Sequence, residues 1–229
     1  RRRDGPRDPD VTPSILTYPV RGSRRVDALV VGGGLHLLAV WLPVLPFVAV
    51  AGYLTRVLVA TATAGPDADP ERPDWQPVGP LLRDGLRAAA TVVGYLAVPV
   101  VLLTVTLGGP LEGVDPTGTT DGIFFIVGTT VSTLLAAALS YPLPAALVAV
   151  SRERSLRAAV DARLVGAATR DAGYLVAVLL AAGGLGVVAG AYATLNAVAL
   201  GFFVAFYAEV VAAAAVGSAT ARAWERRGL

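Results

Sequence analysis

The chain contains no cysteine and no lysine, and it has a single histidine among 229 residues. Without cysteine it cannot form disulfides, thiolate metal sites or thiol nucleophiles. One histidine is too few for a histidine-rich metal cluster, and the sequence shows no Ser-His-Asp set and no paired carboxylates inside an apolar run. We therefore expect no catalytic residues, no cofactor and no metal site, and we expect the protein not to be an enzyme.

Charge is scarce over long parts of the chain. Only 16% of the residues are charged, 55% are hydrophobic, and the mean hydropathy is +0.63. No formal charge occurs between Asp27 and Arg56, and similar runs follow. Since about 20 apolar residues in a helix span about 30 Å of hydrocarbon, these features predict an integral membrane protein whose main partner is the lipid bilayer.

The basic residues are all arginines, and they lie at the ends of the apolar runs. The formal net charge is +2. Arginines in such positions set the orientation of membrane helices. We therefore interpret them as topological signals and expect no nucleic-acid binding.

The apolar runs predict an all-α, polytopic membrane protein with about six transmembrane helices. Pro43 and Pro46 disfavour helix within the first long run, which predicts either a hairpin of two short helices or one kinked helix. The run from Ala172 to Ala221 is too long for one crossing, so a turn is needed near Asn196. With the hairpin, the helices cover residues 26–43, 46–64, 86–107, 123–142, 174–193 and 196–220. A tail of residues 1–25, a single helical membrane domain of residues 26–221 and a tail of residues 222–229 result.

The distribution of arginine favours the hairpin. Residues 108–122 contain acidic residues but no arginine, so this segment should be external, whereas the arginine-rich residues 151–173 and both termini should be internal. A chain that starts inside and reaches the outside at residue 108 needs an odd number of crossings, which three helices provide. We therefore predict a multi-pass protein of the cell membrane with both termini in the cytoplasm.

Two internal segments, residues 81–89 and 151–164, place apolar residues at helical spacing beside arginines. Such patterns are typical of amphipathic segments that lie among lipid headgroups, so we expect two of them on the cytoplasmic side. In the second segment, Arg154, Arg157 and Arg163 are expected to bind anionic headgroups. Both segments contain Leu-Arg-Ala-Ala, which indicates either an internal duplication, as in many transporters, or chance in an alanine-rich chain.

Arg56, Glu209 and His36 form the candidate intramembrane polar site, because a charge at membrane depth is costly unless it is paired, hydrated or functional. Arg56 and Glu209 lie on helices predicted to run from outside to inside, and the two charges could meet near mid-membrane. A gated ion pair or a substrate site is the functional interpretation. We favour a static salt bridge, or an arginine that reaches the headgroups. For His36 we favour a hydrogen bond to a neighbouring helix over a proton relay.

Gly186 and Gly190 have the small-residue spacing that lets membrane helices approach closely. In a chain with 25 glycines the same spacing also arises by chance. If the pair is used, we expect it to act within the chain before it acts between two copies.

Several short motifs occur in an order that resembles one protein family. They are Tyr18-Pro-Val-Arg-Gly22, Gly52-Tyr-Leu-Thr-Arg56, the segment 151–161, Asp171-Ala-Gly-Tyr174 and Phe206-Tyr-Ala-Glu209. From about Tyr18 to its C-terminus the chain resembles a family of uncharacterised membrane proteins of haloarchaea, the domain of unknown function 4013. The resemblance implies a host membrane and a fold, but no activity. Glu209 stands where the family is more often uncharged, so no shared role is implied for it.

Two classes of function fit this sequence. Helices rich in alanine, valine and glycine, short loops and few intramembrane polar groups favour a non-enzymatic scaffold or accessory membrane component. The alternative is a small-solute or ion transporter, in which the duplication, the broken helices and the Arg56, Glu209 and His36 set would be the working parts. A water-filled cavity lined by those three residues would favour the transporter, and a dry, closely packed interior would favour the scaffold.

The topology can be tested with reporter fusions. A reporter joined after Gly113 should be external. Reporters joined after Asp69, Arg154 or Leu229 should be internal, because arginine-rich segments stay in the cytoplasm. Paired reporters that are active only outside or only inside the cell measure this. An external signal after Asp69 would contradict the hairpin and leave five helices.

Overall fold

The computed structural model describes residues 12–20, 25–42, 44–64, 70–111, 119–196 and 199–229. Within these ranges the chain is helical and contains no strand, which confirms the predicted all-α class. The α-helices are α1 (Thr12–Thr17), α2 (Arg25–Ala39), α3 (Val44–Thr63), α4 (Val78–Leu111), α5 (Thr119–Ser140), α6 (Leu143–Glu153), α7 (Leu164–Thr169), α8 (Ala172–Asn196) and α9 (Leu200–Glu225). Two 3₁₀ helices cover Tyr18–Val20 and Leu156–Val160.

Five helices, α3, α4, α5, α8 and α9, are long and apolar enough to cross a membrane. The prediction of a polytopic membrane protein is thereby confirmed. The first expected span, residues 26–43, is shorter than predicted, because α2 ends at Ala39 and has 15 residues. At about 1.5 Å per residue its length is about 22 Å, which is less than the hydrocarbon thickness of about 30 Å.

Helix α9 is the central element of the packing, in contact with α2, α3, α6, α7 and α8. Two buried clusters lie along it. One joins α9 to α2 and α3 around the fully buried rings of Tyr53 and Phe206. The other joins the second half of α9 to α6, α7 and α8 around Trp224. Helix α5 packs only on α4 and α6 among the described helices, so most of its apolar side chains are exposed to the surroundings.

Glycines allow α3 to approach two neighbours at backbone distance. A Cβ at Gly217 of α9 would overlap the hydroxyl of Thr61 and lie 2.5 Å from the carbonyl oxygen of Leu58. A Cβ at Gly52 of α3 would overlap the carbonyl oxygen of Leu81 on α4. Because lipid is as apolar as the side chains, membrane helices associate mainly through such close packing. The two contacts therefore fix α3 between α4 and α9.

The spacing of Gly186 and Gly190 does not serve the same purpose. Nothing lies within 4 Å of a Cβ built at either position. Helix α8 packs on α9 through a different face, and Val187 between the two glycines is 74% exposed. Among the described residues the pair therefore makes no close contact within the chain, as expected if the spacing arose by chance.

Helix α4 is a single helix of 34 residues. The amphipathic segment expected at residues 81–89 and the span expected at 86–107 are therefore parts of one continuous element. Leu81 and Ala88 are buried, whereas Leu86 is exposed, so one face of this part of the helix packs on the protein. The charged residues near the expected helix start at residue 86 lie inside α4, which is continuous through them.

The second expected amphipathic segment, residues 151–164, forms the end of α6, a 3₁₀ helix and the start of α7. Its Leu-Arg-Ala-Ala sequence is 3₁₀-helical, while the copy at residues 86–89 is α-helical. The two copies thus share no local structure.

Asp171 ties the start of α8 to the end of α9. Its carboxylate accepts hydrogen bonds from the Tyr174 amide at 3.0 Å and from the Arg226 guanidinium at 2.6 and 2.9 Å. Burial by itself would raise the pKa of Asp171, but these hydrogen bonds and the charge of Arg226 outweigh it and hold the pKa below its usual value. Helix α9 continues to Glu225, beyond the expected boundary at residue 221, and Trp224 is buried.

The glycine contacts predict opposite effects of the same substitution at two positions. Gly217→Ala should destabilise the protein by about 1–3 kcal/mol, because the new methyl group has no room against α3. Gly186→Ala should be neutral or stabilising by up to about 1 kcal/mol, because the site is open and alanine favours helix. Reversible unfolding in mixed micelles measures both. Equal effects of the two substitutions would contradict the packing described here.

Candidate intramembrane site

His36 and Glu209 meet between α2 and α9. Nε2 of His36 lies 3.2 Å from each carboxylate oxygen of Glu209. The helices approach here because Gly32 and Gly33 leave room for the rings of Phe206 and Phe203 on α9. The rings of Phe47 and Phe206 flank the imidazole, with centroid distances of 6.4 and 5.9 Å. The expected hydrogen bond from His36 to a neighbouring helix is thus present, and its partner is Glu209.

The geometry restricts the protonation of this pair. Nδ1 of His36 lies 3.0 Å from the carbonyl oxygen of Gly32, which can only accept, so Nδ1 carries a proton. Nε2 then either donates to an ionised Glu209 or accepts from a protonated one. In both cases one proton lies between the two side chains and the pair is neutral as a unit. Loss of that proton would set a lone pair of Nε2 against a carboxylate and remove this hydrogen bond between α2 and α9.

Arg56 is engaged elsewhere, in a clamp between α3 and the start of α4. Its Nε donates to the carboxylate of Asp84 at 3.2 Å. Its terminal nitrogens donate to the backbone carbonyls of Asp74, Gln76 and Pro77 at 3.0, 3.4 and 3.5 Å. A guanidinium has five donors in a fixed plane, which suits a group of carbonyls and a carboxylate. Arg56 therefore holds residues 74–77 and the first turns of α4 against α3.

The structure separates the residues that the sequence analysis placed in one candidate site. It brings His36 to Glu209 and sends Arg56 to Asp84, so the hypothesis of an Arg56 and Glu209 ion pair is wrong. Asp84 is the charged partner that sequence reasoning missed. It lies 28 residues from Arg56, and no local periodicity relates the two. The available signal was a carboxylate near the start of the helix that follows Arg56.

Two buried polar atoms near Phe206 have no hydrogen-bond partner in the part of the chain that the structure describes. They are Tyr53 Oη and Trp75 Nε1. The rings of Tyr53 and Trp75 stack with a centroid distance of 4.2 Å, and both contact Phe206, at 5.6 and 5.9 Å. Buried polar groups are normally hydrogen-bonded, so each of these atoms would favour a water molecule or a small polar solute beside it. The described residues contain no cluster of three or more metal-ligating side chains.

Comparison with protein families gives one match. Residues 35–198, well over half of the chain, match the family of proteins of unknown function that is called the domain of unknown function 4013. Neither the curated proteins nor the solved structures contain a match. The matched range includes His36, Arg56 and Asp84 and ends before Glu209.

The two polar contacts predict a specific pattern of energetic coupling. His36→Ala and Glu209→Ala should each cost about 3 kcal/mol, the lower end of the range of about 3–5 kcal/mol for a broken buried pair, because 28% of the Glu209 side chain is exposed. The double substitution should cost less than the sum. A double-mutant cycle on unfolding in mixed micelles measures the difference.

The pair of Arg56→Ala and Glu209→Ala is the matched control for this cycle. These side chains do not touch, so their effects should add within about 0.5 kcal/mol. Coupling in the control cycle, or additivity between His36 and Glu209, would contradict the assignment of partners.

Proposed function

The chain belongs to the family of the domain of unknown function 4013, and from this premise we propose that it is a non-enzymatic scaffold or accessory component of its membrane. One observation carries the proposal. The polar groups expected to form a single working site are divided between two helix contacts, and each contact joins elements of the fold.

The packing beside these contacts supports a static interior. The backbones of α3 and α9 meet at Gly217, and α2 meets α9 at Gly32 and Gly33. A pathway between these helices would have to open contacts at van der Waals distance. In contrast, the apolar faces of α5 and α8 are exposed over most of their length and remain available to lipid or to a partner helix.

The proposal includes a location. The protein would lie in the cell membrane of a haloarchaeon with both termini in the cytoplasm. Support for the orientation comes from the arginines of residues 151–173 and of both ends of the chain. Support for the source is the sequence resemblance, together with the use of arginine for all 19 basic residues.

A proton-linked transporter is the second candidate, and the His36 and Glu209 pair favours it. The pair shares one proton at a helix contact flanked by the rings of Phe47 and Phe206, and both carboxylate oxygens of Glu209 lie 3.2 Å from Nε2 of His36. Intramembrane carboxylates and histidines of this kind serve as proton relays in pumps and transporters. Release of the proton would loosen α2 from α9, which is the kind of movement that transport requires.

Spin-label distances distinguish the two candidates. The hairpins α4–α5 and α8–α9 do not pack on each other in the described chain, so a rocking motion would change their separation. Labels on Phe124→Cys and Val187→Cys, both on exposed positions, report it without interference because the chain has no native cysteine. A scaffold should give one distance distribution that is the same at pH 5 and pH 8.

Labels on Val105→Cys and Phe124→Cys, both in the α4–α5 hairpin, are the matched control. They should give one distance whether the protein is a scaffold or a transporter. A second distance between the hairpins that depends on pH and disappears in Glu209→Gln would overturn the scaffold and support the transporter. Proton flux into proteoliposomes that requires Glu209 would have the same meaning.

A further inference from the structure

The segment that links α6 to α7 is attached firmly to the helices on its inner side. Ala158 and Ala159 of the 3₁₀ helix are buried in the cluster around Trp224. The hydroxyl of Tyr95 on α4 donates to the carbonyl of Ala159 at 2.5 Å, and the indole of Trp224 donates to the carbonyl of Leu164 at 2.9 Å. The segment is thus a fixed part of the surface.

Local hydrogen bonds set the course of the segment between these anchors. Arg154 ends α6 in the left-handed conformation, with φ of 51°. The hydroxyl of Ser155 accepts from the Arg157 amide at 3.3 Å, and the carboxylate of Asp161 accepts from the amides of Arg163 and Leu164 at 2.8 and 3.2 Å. These caps determine which side chains of the segment point away from the protein.

The outward side combines cations with large apolar side chains. Leu156 and Val160 are 52% and 79% exposed, and Arg154, Arg157 and Arg163 are exposed beside them. We call these five residues the arginine face. Exposed apolar side chains interleaved with cations are typical of elements that insert shallowly at the boundary between headgroups and acyl chains.

The guanidinium groups of the arginine face differ from those of three arginines that have partners within the protein. Arg56 binds Asp84, Arg226 binds Asp171, and Arg152 lies over the ring of Trp224 at 5.5 Å. In the part of the chain that the structure describes, no carboxylate pairs with Arg154, Arg157 or Arg163. Their donors remain available to an external anion, and a phosphate accepts two of them at once.

The position of the arginine face relative to the membrane follows from its anchors. Leu164 is bound to Trp224 near the end of α9, and Asp171 immediately precedes α8 and binds Arg226 just beyond the end of α9. Both α8 and α9 are candidate membrane spans. A segment held at their ends lies at the membrane boundary, at the depth of the lipid headgroups.

We propose that the arginine face binds the headgroups of anionic phospholipids, with the three guanidinium groups on the phosphates and with Leu156 and Val160 inserted among the upper acyl carbons. The site is independent of the scaffold role proposed above and would serve a transporter equally well. It gives the protein a preference for anionic lipid at one defined place on its surface.

A probe placed within the face tests the proposal. The full-length Val160→Cys protein, labelled with an environment-sensitive fluorophore, is reconstituted in nanodiscs at about 0.1 M salt, where the Debye length is about 10 Å. Quenching by spin-labelled phosphatidylglycerol is compared with quenching by spin-labelled phosphatidylcholine. We expect the anionic lipid to quench more, and the ratio to fall to one when Arg154→Gln, Arg157→Gln and Arg163→Gln are combined.

Two variants serve as controls. Arg227→Gln removes an exposed arginine of the C-terminal tail and should leave the ratio unchanged. Replacement of the three arginines by lysine keeps the charge and should keep the ratio above one. The unfolding midpoint of each variant, measured in mixed micelles, should match that of the parent, because these side chains are exposed.

Several outcomes would overturn the proposal. A ratio of one in the parent protein means that anionic lipid is not preferred at this place, and an unchanged ratio in the glutamine variant means that these arginines do not cause the preference. Absence of quenching by either lipid, with a fluorescence response to added RNA or to an acidic peptide, would assign the face to a soluble partner. These results would not bear on the scaffold proposal, because that proposal is tested by the distances between the hairpins.

Discussion

Contact between helix backbones at glycine is the constraint on which the other parts of this structure depend. Lipid solvates apolar side chains as well as a protein interior does, so helices in a membrane gain little from hydrophobicity and must gain from close packing. Gly52 and Gly217 let α3 touch α4 and α9, and Gly32 lets α2 receive the ring of Phe206. These contacts place the polar side chains of α2, α3 and α9 close enough to reach partners across the helix boundaries.

The polar contacts then join neighbouring helices, and they can form because the helices are closely packed. Arg56 can donate hydrogen bonds to Asp84 and to three backbone carbonyls because α4 begins beside the middle of α3. His36 can reach Glu209 because Gly32 and Gly33 have no side chains of their own and let the rings of Phe206 and Phe203 pack directly on the backbone of α2. The two polar contacts differ in how charge and protons are distributed between their side chains. The Arg56 clamp pairs a guanidinium with a carboxylate and backbone carbonyls, whereas the His36 and Glu209 contact depends on one proton held between the two side chains.

The helices themselves were largely predictable from the sequence, because apolar length and proline position are local properties. Helix α3 was expected at residues 46–64 and is found at Val44–Thr63. The helix expected from residue 86 begins earlier, at Val78, because the amphipathic residues 81–89 belong to the same helix. A helix continues through charged residues when its other face packs on protein. The partners of Arg56 and Glu209 were not predictable, because 28 and 173 residues separate them from Asp84 and His36. Nor does spacing reveal which glycines face a neighbour, since Gly186 and Gly190 have the right interval and lie on an open face.

The arginines show how one residue type can take several physical roles in a chain without lysine. Arg56 donates hydrogen bonds to acceptors within the protein, and Arg226 donates to the carboxylate of Asp171. Arg154, Arg157 and Arg163 have the same donors but face outward from a segment whose backbone is capped and anchored. The sequence alone separates Arg56, which lies within an apolar run, from the arginines at the ends of the runs, whose topological signal depends only on charge. The structure divides these arginines by what their donors contact, and since no carboxylate among the described residues pairs with Arg154, Arg157 or Arg163, their donors can bind a molecule outside the protein.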